Sequence, residues 1–244
     1  MQISNIWNKF HLHGSKIVGI VLICLYALPS FGQYQNVRMN NPNYDDRLFS
    51  YGFLIGIHNT SLKLEYSDRF VSNDFDTLHS ILPRPSAGFS LGFIVNMRLN
   101  EYLDLRLLPK VAFYEHDLVY NYTSQRTQIE LKESTIIEFP LMLKYKSERR
   151  GNSRMYMVGG LKPAIAVSGK NDVNTSYKSL NIKRGNLNAD FGFGFDLYFP
   201  LFKFSPEIRF SKGLINVLEF PPNELSEGIS SLKTNTIHFY LLFQ

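Results

Sequence analysis

Glu115, His116 and Asp117 are the side chains in this sequence best suited to chemistry. A histidine flanked by carboxylates can act as a general base or hold a metal ion. Asp74, Asp76 and His79 form a second such group in a polar stretch. The surrounding pattern argues against both. Residues 115–117 continue an extended run, where neighbouring side chains point to opposite faces. Glu115 and Asp117 therefore cannot join His116 in one site. No H-E-x-x-H or phosphate-loop pattern is present. Gly192 and Gly194 lie inside a strand pattern rather than at a strand-to-helix turn, so they do not cradle phosphate. The expectation is a chain that is not an enzyme, with no catalytic, cofactor-binding or metal site and no cofactor. His79 and His116 then read as solvated rim residues. The enzyme alternative predicts loss of activity when either is replaced.

Period-two alternation runs through the elements that would carry these residues. Phe89, Leu91, Phe93, Val95, Met97 and Leu99 alternate with Ser90, Gly92, Ile94, Asn96 and Arg98. Phe191, Phe193, Phe195, Leu197 and Phe199 alternate with Gly192, Gly194, Asp196 and Tyr198. Near the end, Ile237, Phe239, Leu241 and Phe243 alternate with His238 and Tyr240. Eight strands follow from this pattern, at about 49–66, 86–99, 102–121, 128–147, 154–169, 186–199, 202–218 and 234–244. Each is at least as long as the roughly 9–11 residues a tilted membrane strand needs. Connections alternate between short (100–101, 147–153, 200–201) and long and polar (67–85, 171–185, 219–233). An even strand count with short turns at one end and long loops at the other predicts an all-β fold: an eight-stranded antiparallel up-and-down transmembrane β-barrel. The last strand pairs with the first, and the N-terminus starts on the short-turn, periplasmic side. Tyr51, Tyr102, Tyr145, Tyr198, Phe199 and Phe243 are expected in the interfacial girdles. His58 and His238 are expected near strand ends, as lumen or interface residues.

A soluble eight-stranded barrel or sandwich is the competing fold. The unbroken Phe series would overfill a small interior, whereas Gly beside charge suits a narrow wet lumen. The inward set holds acidic Asp104, Glu138, Asp190, Asp196 and Glu207. Its basic members are Arg98, Arg106, Lys110, Lys144, Lys162, Lys203 and Arg209. Eight strands leave room for side chains or one small ligand. An ion-paired plug is therefore expected in preference to a conduction path.

The N-terminus reads as a cleaved signal peptide over residues 1–32. Lys9 and Lys16 lead into the apolar run Ile17–Leu28, and Ser30 and Gly32 supply the small residues of a cleavage site. A run of twelve is too short to span a bilayer, which takes about 20. Residues 33–48 form a periplasmic segment and 49–244 the barrel domain. The net charge is +5, or +3 once Lys9 and Lys16 are removed, which does not argue for nucleic acid. Cys24 is the sole cysteine, so the mature chain has no disulfide framework.

Pro83–Asn100, with Tyr102–Arg106 after it, and Ile137–Arg150, with Arg154–Tyr156 and Gly159–Gly160 after it, carry a family likeness. These stretches resemble the PorT family of outer-membrane barrels from Bacteroidetes, and the likeness extends to Tyr44-Asp45-Asp46. It implies an accessory, structural role in type IX protein secretion, and in gliding motility where that occurs. The implied partners are outer-membrane lipids and other secretion-system subunits, with no nucleic acid and no small-molecule substrate. The alternative is a stand-alone porin-like or adhesin-like barrel. Pro109, Pro140, Pro163 and Pro206 sit inside strands, where a missing N–H marks bends, and their recurrence suggests an irregular wall where a partner docks.

Overall fold

The computed structural model describes residues 38–67, 70, 78–122, 127–168, 183–218 and 228–244. The chain divides into Met1–Asn36 and Val37–Gln244, and every described residue belongs to the second unit. The signal-peptide reading over 1–32 and the residues Asp74 and Asp76 fall outside this description. A single-turn 3-10 helix, Tyr44–Asp46, precedes the sheet. The strands are β1 (Phe49–Tyr66), β2 (Leu78–Arg84), β3 (Ser86–Arg98), β4 (Leu103–Leu107), β5 (Lys110–Tyr122) and β6 (Thr127–Glu138). They continue as β7 (Leu141–Lys146), β8 (Ser153–Ser168), β9 (Gly185–Tyr198), β10 (Lys203–Gly213) and β11 (Ile229–Phe243).

These segments form one antiparallel sheet that closes on itself. β2 with β3, β4 with β5, and β6 with β7 are three long strands interrupted at Pro85, Pro109 and Pro140, which leaves eight walls of a barrel. Each wall pairs with the next in sequence, and β11 returns to β1 in register from Phe53↔Phe243 to Leu64↔Leu232. The expected closure of last strand on first is therefore the observed one.

Alternation decides which side chains meet which environment. Phe53, Ile57, Phe93, Leu143, Phe191 and Ile237 all point outward and are exposed. An apolar belt of this extent would aggregate in water and is matched by hydrocarbon in a membrane. Among the described residues no helix is long and apolar enough to cross a bilayer.

Several boundaries differ from expectation for local reasons. β2 occupies part of the expected loop 67–85, because Pro85 breaks the alternation between β2 and β3. β11 starts at Ile229 rather than 234. Glu65 pairs with Ser231 and Tyr66 with Ile229, so a bulge spoils the period there, and Ile229 and Leu232, three apart, both face inward. β10 stops at Gly213 rather than 218, and the adjacent Val217 and Leu218 are both buried, which no regular strand allows. Pro109 and Pro140 interrupt their strands as expected. Pro163 and Pro206 do not: they sit in continuous β8 and β10. At Pro206 only the β9 side yields, where pairing lapses between Phe204↔Leu197 and Glu207↔Gly194.

Candidate functional site

The chemistry-bearing side chains converge in the lumen. Its turn-side end is closed by the segment before β1. Arg154 Nη2 lies 3.0 Å from Asp45 Oδ1, and the Tyr198 hydroxyl donates to the same oxygen at 2.8 Å. Arg149 donates to the carbonyls of Asn40 and Asn41, and Asn40 Nδ2 donates to the Tyr198 carbonyl at 2.9 Å. The Arg149 guanidinium also stacks 3.6 Å over the Tyr198 ring.

Burial alone would raise the Asp45 carboxyl, but Arg154, the Tyr198 hydroxyl and Arg149 outweigh it and hold the group below the ordinary carboxylate range. A carboxyl depressed in the folded state contributes stability above its unfolded pKa and loses it as pH falls through the folded value. The clamp is thus complete at neutral pH and opens in acid. Amide protection over residues 40–47, corrected for intrinsic exchange, should fall when pH drops from about 7 to below about 3. Asp45→Asn should show that low protection already at neutral pH, and full protection in the variant would contradict the clamp.

Above the clamp, Asp196 is fully buried. Lys144 Nζ donates to both its oxygens at 2.9 and 2.6 Å, Arg154 Nε at 2.9 Å and Ser205 Oγ at 2.6 Å. Glu207 accepts from Arg106 Nη1 at 3.0 Å, from the Tyr156 hydroxyl at 2.9 Å and from Arg209 Nε at 2.9 Å. Glu138 accepts from the Tyr114 hydroxyl at 2.7 Å and lies 2.8 Å from Lys110 Nζ and 3.3 Å from Lys162 Nζ. Among the described residues nine basic and five acidic side chains are buried. Tyrosine rings take up part of that imbalance: Lys144 lies 3.8 Å from the Tyr156 centroid, and Lys203 4.5 Å from Tyr44.

His58 and His238 face each other across β1 and β11 with ring centroids 5.3 Å apart. Both are buried at mid-strand, not at the expected strand ends, because β1 and β11 continue well past them. Lys162 Nζ is 3.2 Å from His238 Nε2. The two nitrogens are within hydrogen-bond reach, with the donor and acceptor roles set by the tautomer of the ring. Beyond the histidines the lumen turns apolar. Leu62, Ile81, Val217, Leu218, Ile229 and Leu232 pack into one buried cluster at the loop-side mouth.

Of the expected inward set, all but one are buried in the lumen. Arg98 is the correction: it ends β3 at the barrel rim, part-exposed, 3.8 Å from Asp46. Tyr198 is the second, since it points inward to Asp45 and leaves the girdle to Tyr51, Tyr102, Tyr145 and Phe199, which are exposed. Lys146, Arg149 and Arg154 also belong to the interior and were not anticipated. Lys146 and Arg154 do share the phase of Lys144 and Tyr156, so alternation alone could have placed them. His79, His116 and Asp117 lie in β2 and β5, and their side chains are outside the described set. Among the described residues no group of three or more His, Cys, Asp or Glu could hold a metal ion.

A closed eight-walled barrel with an apolar belt outside and ion pairs inside defines an outer-membrane β-barrel protein. A family model described as outer membrane protein beta-barrel domain matches residues 31–219, and the chain belongs to that family. No curated protein matches it in sequence. Neisserial surface protein A (NspA) is similar at a TM-score of 0.44 and 8% identity, covering 80% of this chain and 97% of that one. OprG from Pseudomonas aeruginosa is similar at a TM-score of 0.45 and 12% identity, over 79% and 93%. The attachment invasion locus protein Ail of Yersinia pestis gives 0.34 and 10%, over 79% and 96%.

Proposed function

We propose that this barrel is a non-conducting accessory subunit of the type IX secretion machinery, required for export of cargo and, where it occurs, for gliding. The reading takes its direction from the likeness to the PorT family. The observation that carries it is the filled lumen. Clamp, ion-paired middle and apolar mouth follow one another along the axis, so the protein acts through its surfaces rather than by passing solute. It acts without catalysis, docking on other subunits of the machine.

Deleting the gene should abolish secretion of cargo bearing the system's C-terminal signal, and re-expression should restore it. The purified barrel in a planar bilayer should show no large single-channel conductance. Intact secretion in the deletion strain would leave a stand-alone barrel. A large conductance would make it a porin.

A further inference from the structure

The outer wall is not apolar throughout. Where the belt ends on the loop side, three lysines stand on three adjacent walls. Lys63 of β1 and Lys233 of β11 are direct cross-strand partners. Lys212 of β10 pairs with Asn235, two residues from Lys233 on the same face. Like charges directly opposite one another destabilise a sheet. Among the described residues, only Lys63 has a carboxylate close by, Glu65 at 3.8 Å, and both side chains of that pair are at least half exposed. Such a pair contributes little. The fold therefore holds a cluster of cations that its own acidic residues leave largely uncompensated.

A groove of about 730 Å³ opens beside this cluster on the outside of the barrel. Phe191, Phe210 and Ile237 line its apolar side, while Asn59, Asn235 and Lys212 line its polar side. On β10 and β11 polar residues follow directly on the lipid-facing series, Lys212 after Phe210 and Asn235 after Ile237, whereas on β9 apolar Ala189 and Leu187 continue beyond Phe191. One groove thus spans the boundary between hydrocarbon and headgroup. In an outer-membrane barrel the long-loop side faces outward, so this boundary belongs to the outer leaflet.

We propose that the groove and its three lysines bind a phosphorylated glycolipid of the outer leaflet, with an acyl chain along Phe191, Phe210 and Ile237 and phosphate at Lys63, Lys212 and Lys233. Two features select this occupant. A soluble anion would have no use for the apolar half, and a neutral lipid none for the opposed lysines. Each cation near a membrane surface adds about a fivefold preference for anionic lipid. The site is independent of any role in secretion.

The test uses the folded barrel in detergent micelles with bis-phosphorylated lipid A as probe, and counts bound lipid by native mass spectrometry. Wild type should retain a single lipid. The triple variant Lys63→Gln, Lys212→Gln, Lys233→Gln should bind roughly a hundredfold more weakly, with its folded state checked by heat-dependent gel mobility. Wild type should also fail to retain lipid A stripped of its phosphates, a comparison that stands even if the variant does not fold. Equal retention of the stripped lipid, or of lipid A by the folded variant, overturns the proposal. Displacement by inorganic phosphate at low millimolar concentration would reduce the site to one for free anions and overturns it equally.

Discussion

Asp196→Asn should destabilise the barrel by about 3–5 kcal/mol, the usual cost of removing one partner from a buried ion pair. Asp196 is the hub of the lower lumen, where it accepts from Lys144, Arg154 and Ser205 with no solvent contact. The amide keeps the shape but not the charge, so the Lys144 ammonium is left buried against a neutral group. Arg154 keeps Asp45, and Lys144 keeps only the Tyr156 ring. Urea unfolding of the barrel refolded into lipid vesicles, followed by gel mobility, measures the loss. Glu65→Gln provides the contrast, since its exposed pair with Lys63 should change stability by less than about 1 kcal/mol. If the two variants unfold at the same urea concentration, the interior pairs are not what holds the barrel closed.

Gly194→Val should be nearly as damaging, for steric reasons. Gly194 faces inward beside Tyr156, and a Cβ there would stand 2.6 Å from the Tyr156 ring and 2.7 Å from the Pro206 carbonyl. The carbonyl belongs to the neighbouring strand and cannot yield, so the ring must. Its displacement removes the hydroxyl from Glu207 and the π face from Lys144 and Arg106. Overpacking costs about 1–3 kcal/mol, and a hydrogen bond to a charged group about 1.5–3 kcal/mol. A double-mutant cycle separates these effects. Combined with Tyr156→Ala, the valine should lose less than the two single losses added together, by at least about 1 kcal/mol. Strict additivity would show that the glycine's missing side chain is not what makes room for the ring.

Most of this interior can be read from the sequence because strand periodicity is a strong constraint. Asp196, Glu207, Arg106 and Lys144 share the phase of the small residues opposite the Phe series, and phase alone assigns them to the lumen. What escaped were features in which phase breaks or distance decides. Pro85 concealed β2, and the bulge opposite Tyr66 concealed the start of β11. Arg149 sits in a turn, where no periodicity applies, and its partners Asn40 and Asn41 are more than a hundred residues away. The lysine cluster needed the register of three walls at once, since Lys63, Lys212 and Lys233 are unremarkable singly. Tyr198 has the phase of Asp196, but its place at a strand end made it look like an interfacial aromatic.

The pairings of the lumen have a consequence for how the barrel forms. Lys110 reaches Tyr240 across 130 residues, Arg106 reaches Glu207 across 101, and Thr60 meets Thr236 across 176. None of these contacts exists until β11 lies against β1. An open, half-inserted sheet would keep Lys110 paired with Glu138 on the adjacent strand, but would carry Arg106 into hydrocarbon without Glu207, at a cost of several kcal/mol. The last pairings across the lumen and ring closure are one event, so insertion should proceed without stable partial barrels.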